Sequence, residues 1–258
     1  MPDLFDISGK TALVTGGSRG IGLMIARGFV EAGAHVIISS RKAEVCDSVA
    51  AELDALDAGS CRSIPADLAS EEECLTLGEQ VAELIDHLDI LVNNAGANWG
   101  EPFETFPASG WDKVLDLNLK GPFFLTRAVK PLLDAAASAD DPARVINIGS
   151  IDGLQVPLLN TYSYSASKAA VHHLTRVLAR EFGPQHITVN AIAPGPFESK
   201  MMAATLEAAG DAIAKSAPLG RIGRPDDMAG AAQFLASRAG AYVTGAILPV
   251  DGGIATTK

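Results

Sequence analysis

Residues 12–22 read Ala12-Leu13-Val14-Thr15-Gly16-Gly17-Ser18-Arg19-Gly20-Ile21-Gly22. Apolar residues run into a glycine-rich turn, and Leu23 to Val30 continue with apolar residues at helical spacing. A strand that feeds a glycine turn and then a helix lets the backbone close on a pyrophosphate, with the first helical amides aimed at its charge. The glycine intervals, three residues and then one, differ from the GxGxxG fingerprint, and a plain tight turn would need no more than these glycines. Position favours the first reading: first strand, early in the chain, helix directly after. The stretch therefore predicts a dinucleotide-binding α/β fold.

Working outward, short apolar runs alternate with segments of helical period. Ala12–Thr15, His35–Ser39, Cys61–Ala66, Asp89–Asn93, Arg144–Gly149, Ile187–Ala193 and Ala246–Val250 are the expected strands. Stretches around 20–32, 42–57, 70–86, 110–137, 161–182 and 226–237 are the expected helices. The strands are nearly continuous in apolar character, as a sheet covered on both faces requires. The expectation is one doubly wound, Rossmann-like domain over residues 1–258, with a parallel seven-stranded sheet between two helix layers. Ala135 to Pro142 reads as a frayed helix end and a loop. Gly195 to Arg224 has the Gly and Pro content of a flap over a substrate, with a short helix near Met201 to Ala209.

A chain of 258 residues with 48% hydrophobic and 20% charged content is long enough for one large core. Its net charge of −11 disfavours nucleic acid, whose binding draws on Lys and Arg neutralising phosphates. Cys46, Cys61 and Cys74 are odd in number and unpaired in spacing, so reduced thiols in a cytoplasmic protein are expected. The five histidines show no metal-ligand spacing, and no metal is expected. The N-terminal MPDLFDISGK lacks a basic region followed by an apolar stretch, and no run approaches 18 apolar residues, so neither secretion nor a membrane partner is expected.

Residues 161–170, TYSYSASKAA, carry the candidate chemistry. Tyr164 and Lys168 are four apart and share one face of a helix. A cation beside a phenol lowers its pKa and brings it into range as a proton donor and acceptor. Tyr162 has Ala166 at that spacing, so only Tyr164 has an ammonium partner. A half-exposed tyrosine near a surface lysine is the bland alternative. Ser150, at the end of an apolar strand, falls where open α/β sheets hold ligands, and its hydroxyl could bond a substrate oxygen.

These motifs, taken together, resemble the short-chain dehydrogenase/reductase family. Its cofactor loop TGxxxGxG matches Thr15 to Gly22, its NNAG matches Asn93 to Gly96, and its catalytic Asn, Ser and YxxxK match Asn118, Ser150, Tyr164 and Lys168. Its PGxxxT segment appears as Pro194 to Ser199. The resemblance covers essentially the full chain, and within the family it is nearest the NADPH-dependent 3-oxoacyl reductases, including the kind that serves rhamnolipid synthesis. It implies catalytic roles for Asn118, Ser150, Tyr164 and Lys168, with Asn118 supporting a water-linked proton path to Lys168. It implies cofactor contacts from Gly16, Ser18, Arg19, Gly20, Ile21 and Gly22 in the glycine turn. Asp67 and Leu68 would add contacts after the third strand, Asn94, Ala95 and Gly96 after the fourth, and Pro194, Gly195, Phe197 and Ser199 after the sixth. Tyr164 and Lys168 would also touch the cofactor. Ser150 and Tyr164 stand 14 residues apart, slightly more than usual for the family, so one extra residue is expected within Asp152 to Asn160.

The end of the second strand bears on which dinucleotide is bound. A carboxylate there would bond the ribose 2′-hydroxyl of NAD and repel a 2′-phosphate. Residues 39–42 read Ser39-Ser40-Arg41-Lys42, with no acid from His35 to Ala43. Arg41 can grip a phosphate bidentately and Arg19 could reach the same group, so NADP(H) is expected. The expected reaction is hydride transfer to a carbonyl, with Tyr164 giving the proton. Leu154, Val156, Pro157 and Leu158 suggest an apolar substrate, and an acyl thioester is one candidate. Arg127, Lys130 and Arg176 are the candidate basic docking patch for an acidic carrier protein. A dehydrogenase of a sugar acid or secondary alcohol is the alternative, and a non-catalytic nucleotide sensor or scaffold a third. Tyr242 to Gly253 resembles the family segment near a subunit interface, which implies a homotetramer.

Overall fold

The computed structural model describes residues 3–157 and 159–257. The strands are β1 (Thr11–Thr15), β2 (His35–Ser39), β3 (Ser60–Ser63), β4 (Ile90–Asn93), β5 (Ala143–Ile148), β6 (Ile187–Pro194) and β7 (Ile247–Val250). The helices are α1 (Gly20–Glu31), α2 (Ala43–Asp54), α3 (Glu71–Ala82), α4 (Ala108–Leu115), α5 (Gly121–Ala136), α6 (Tyr162–Phe182), α7 (Ala203–Ser216) and α8 (Pro225–Ala236). All pairings are parallel, in the order β3-β2-β1-β4-β5-β6-β7. The order reverses between β1 and β4, which opens a crevice at their carboxyl ends.

The two-layer arrangement follows from strands that are apolar on both sides. In β1, Ala12 and Val14 join a core built with α1, α2 and α8, while Leu13 joins a second core built with α3, α5 and α6. Every residue of β1, β4, β5 and β6 is buried. Cys46, Cys61 and Cys74 are free thiols packed into these cores, and burial raises each of them, Cys61 to about 12 and Cys74 to about 11. Among the described residues no helix is long and apolar enough to cross a membrane.

Three segments depart from the expected elements. The third strand stops at Ser63, although the Ile64 and Ala66 amides still donate to the Ile38 and Ser40 carbonyls of the β2 side. The helix expected over 110–137 is three pieces: α4, a π turn at Asp116–Lys120, and α5. The short helix of the flap is longer than expected, Ala203–Ser216, with Ala209 leaving helical geometry at φ −146°. The stretch before α6 opens with a 3₁₀ turn at Ile151–Gly153. Of the apolar residues expected there, Leu154 and Val156 are exposed, and Leu158 lies outside the described residues.

Candidate active site

The glycine turn closes the crevice between β1 and α1. Gly16 and Gly20 take left-handed conformations, at φ +64° and +54°, that other residues rarely adopt. A Cβ on Gly22 would collide with the Gly16 carbonyl oxygen and Asn94 Nδ2, so the helix can start this close to the strand only at glycine. Arg19 precedes α1 without capping it, and the first turn carries no acid. The amides at the helix start are thus free to meet an anion. Ser18 is buried, Arg19 exposed, and Ile21 packs onto the core below.

The turn is tied to the end of β4. Thr15 Oγ1 accepts the Asn94 and Ala95 amides at 2.9 and 3.0 Å and donates to the Val92 carbonyl. Asn94 Nδ2 donates to the Thr15 carbonyl at 2.8 Å. Thr15 is a positioning residue that motif matching alone had not singled out, although its place inside the TGxxxGxG match was the available signal.

At the end of β2, the Ser39 carbonyl accepts the Gly16 amide at 2.7 Å. The buried hydroxyls of Ser39 and Ser40 find no partner among the described residues. Arg41 lies 3.8 Å from Asp67, both about half exposed. A half-exposed guanidinium at the strand end is a donor suited to a phosphate. Ser40 is a further candidate contact, and Leu68 lies buried next to Asp67.

On the other side of the crevice, the π turn carries Asn118 inward. Asn118 is buried, not on an exposed helix face, with Oδ1 accepting the Ala97 amide at 2.8 Å. Its Nδ2 donates to the Ala97 carbonyl and to Ser167 Oγ, both at 3.0 Å, and Ser167 donates to the Tyr164 carbonyl at 2.7 Å. Asn118 therefore links the Gly96 loop to the turn of α6 that bears Tyr164 and Lys168. A Cβ on Gly96 would lie 3.3 Å from Asn118 Oδ1.

Ser150 follows β5, and its Oγ accepts the Asp152 amide at 3.1 Å. Lys168 is 5% exposed, with Nζ donating to the Ile148 carbonyl at 2.7 Å and standing 5.5 Å from the centre of the Tyr164 ring. Tyr162 instead joins Phe103 and Phe106 edge to face at the surface. Ser150, Tyr164 and Lys168 thus meet at the carboxyl edge of the sheet.

The electrostatics correct one expectation. Spacing predicts that Lys168 lowers the Tyr164 pKa, whereas burial pushes the phenol up to about 12, with Ser150 opposing and Asp152 adding to the rise. Burial also lowers Lys168 to about 8, against the pull of Asp152. A dry environment penalises phenolate and ammonium alike, and the ammonium is spent on the Ile148 carbonyl. Tyr164 is accordingly a proton holder at neutral pH.

The segment after β6 narrows another expectation. Phe197, expected to touch a cofactor, turns inward with 2% exposure and packs against Gly223, which leaves only its backbone for such a contact. Gly195 donates to the Val250 carbonyl, and a Cβ there would meet Asp251 at 2.7 Å, so its need for glycine comes from β7. Pro194 ends β6, and Ser199 reaches the glycine turn, where a Cβ on Gly20 would meet its Cβ at 3.2 Å.

A family model described as "Enoyl-(Acyl carrier protein) reductase" matches residues 16–255. The chain belongs to the short-chain dehydrogenase/reductase family. This short-chain dehydrogenase/reductase is 50% identical to the rhamnolipids biosynthesis 3-oxoacyl-[acyl-carrier-protein] reductase of Pseudomonas aeruginosa, over 98% of the chain and 99% of the relative. It is 34% identical to the gluconate 5-dehydrogenase of Gluconobacter oxydans, over 98% and 97% of the two chains. It superposes with a TM-score of 0.94 on the Pseudomonas aeruginosa RhlG/NADP active-site complex, at 50% identity, covering 99% of this chain and 100% of that one.

Proposed function

We propose that the chain is an NADPH-dependent carbonyl reductase whose substrate is a 3-oxoacyl thioester or a similarly apolar ketone. The observation that carries this reading is the half-buried Tyr164 and the buried Lys168 beside Ser150, at the crevice that the uncapped glycine turn also faces. Arg41 and the unsatisfied Ser40 hydroxyl, with no acid on the β2 end, support the 2′-phosphorylated dinucleotide. The relative named as a 3-oxoacyl-[acyl-carrier-protein] reductase supports the thioester.

The bound NADPH would supply the hydride. Ser150 Oγ holds the substrate carbonyl oxygen, and Tyr164 gives that oxygen its phenolic proton. Lys168 flanks the Tyr164 ring, with its ammonium held by the Ile148 carbonyl. Asn118 keeps the Gly96 loop and α6 in register through Ala97 and Ser167. The glycine turn takes the pyrophosphate and Asp67 the adenine edge. A cytoplasmic homotetramer is part of this reading.

A second reading, oxidation of a sugar acid or secondary alcohol, is favoured by the relative named gluconate 5-dehydrogenase. Following nicotinamide absorbance with 3-oxoacyl thioesters, ketones, gluconate and polyols, against both phosphorylated and unphosphorylated cofactors, separates the two. Fast NADPH consumption with the thioesters is expected. Turnover confined to sugar acids, or NADH used as well as NADPH, would overturn the proposal.

A further inference from the structure

Asp152 is an ionisable group that the proton chemistry above leaves unused. It lies two residues past Ser150, in the 3₁₀ turn Ile151–Gly153, and is half-buried. Its own amide donates to Ser150 Oγ. The next residue, Gly153, is pressed so tightly on α6 that a Cβ would stand 2.7 Å from the Lys168 carbonyl carbon and 2.8 Å from the Ala169 amide. The turn has no freedom to swing away, which keeps Asp152 beside Ser150 and against the helix that bears Tyr164 and Lys168. Among the described residues no side chain or backbone group donates a hydrogen bond to that carboxyl.

We propose that Asp152 is a positioning residue for the proton: its carboxylate keeps both Tyr164 and Lys168 protonated near neutral pH, the state in which the tyrosine can serve reduction. The inference rests on the reductase reading given above. A fixed negative charge beside a phenol and an ammonium disfavours phenolate and favours ammonium, so it raises proton affinity at both. Its influence on both groups has this sign. Because the two act as a coupled pair, loss of the charge moves both of the pair's proton losses to lower pH, whichever residue gives up its proton first.

The other groups near the turn do not supply this charge. On α6 the facing titratable groups are Tyr164, Lys168 and His172, and His172 is held neutral by burial and by the Lys168 charge. β6, the other element under the turn, carries no titratable side chain from Ile187 to Pro194. Burial raises the Asp152 carboxyl itself, and the Lys168 ammonium opposes that rise and favours the carboxylate. Asp152 is the acid whose charge raises proton affinity at both members of the pair.

The test is the titration of Lys168 in protein labelled with isotope at lysine, its resonance assigned by its loss in Lys168→Arg. Wild type, Asp152→Asn and Asp152→Glu are compared, with circular dichroism as the check of folding. The proposal expects a lower Lys168 midpoint in Asp152→Asn and a wild-type midpoint in Asp152→Glu. An unchanged midpoint in Asp152→Asn overturns it, as does a Glu variant that behaves like the Asn variant. Neither readout needs turnover, so this outcome stands apart from that of the reductase reading. In active enzyme, the acid limb of the alcohol-oxidising direction should also move. At the pH where wild type runs at half its plateau, Asp152→Asn should run at roughly three quarters of its own, the response to a shift of about half a pH unit.

Discussion

Thr15 and Asn94 clasp each other across the point where the sheet reverses order: the Thr15 hydroxyl accepts the Asn94 amide at 2.9 Å, and the Asn94 side chain returns a bond to the Thr15 carbonyl at 2.8 Å. The Gly22 Cα sits against this clasp, with no room for a methyl group. Gly22→Ala should therefore cost several kcal/mol, about what overpacking of a tight core costs, and lose NADPH binding. Gly230, inside α8, has open space around it, and Gly230→Ala should gain about 1 kcal/mol as an ordinary helical replacement. Denaturant midpoints and NADPH titration of both variants check the contrast.

Tyr164→Phe removes the proton and leaves the ring that flanks Lys168. Turnover should fall by roughly 10²- to 10⁴-fold, the usual worth of a positioned general acid, with little change in the dissociation constant of NADPH. Steady-state rates and fluorescence titration test the split. Near-full turnover would remove Tyr164 from its role.

Lys168 is kept charged in a dry site, which is a burden on the fold. Its pKa is about 8 when folded against 10.5 as the reference, so the cost is fully present below pH 8 and disappears as pH rises toward 10.5. That difference amounts to about 3 kcal/mol, reduced by roughly 1 kcal/mol for the Ile148 carbonyl that would lose its donor. Lys168→Met should thus stabilise the protein at pH 7 while abolishing turnover, and the gain should shrink above pH 8. Denaturation at pH 7 and pH 10 checks the sign.

His172 makes the complementary case at acid pH. It is buried with neither ring nitrogen bonded among the described residues, and burial together with Lys168 lowers its pKa from 6.5 to about 4. The folded protein binds fewer protons there than the unfolded chain between pH 6.5 and 4, so stability falls as pH drops through that window, by up to about 3 kcal/mol. His172→Gln should start less stable, because the ring fills the slot between Gly149 and Gly153, but should show a flatter loss. Urea midpoints across that pH range give both numbers.

The element order was legible because both faces of each strand are covered. Ala12, Leu13 and Val14 feed opposite cores, so the strand reads as an unbroken apolar run, and its helices follow at their own period. Spacing also placed Tyr164 with Lys168. It could not give the sign of their proton affinities, since depth of burial, and not separation, decides whether the ammonium or the dry surroundings prevail. Phe197 shows the same limit: its motif position suits a ligand contact, yet the packing against Gly223 claims the ring. Ser40 and Asp152 carry no motif at all: only the unmet hydroxyl of the first, and the packing of its turn against α6 for the second, mark them in three dimensions.

The π turn at Asp116–Lys120 places Leu117 and Asn118, consecutive residues, both toward the interior. In a regular helix each residue is rotated about 100° from the last, so neighbours diverge. One surplus residue absorbs that angle and delivers an amide to a dry wall, with the apolar phase of α4 and α5 left untouched on either side. Deleting a single codon within the turn would restore the regular helix and rotate the positions on one side of it by about 100° relative to the other, carrying the amide away from the Ala97 loop it ties.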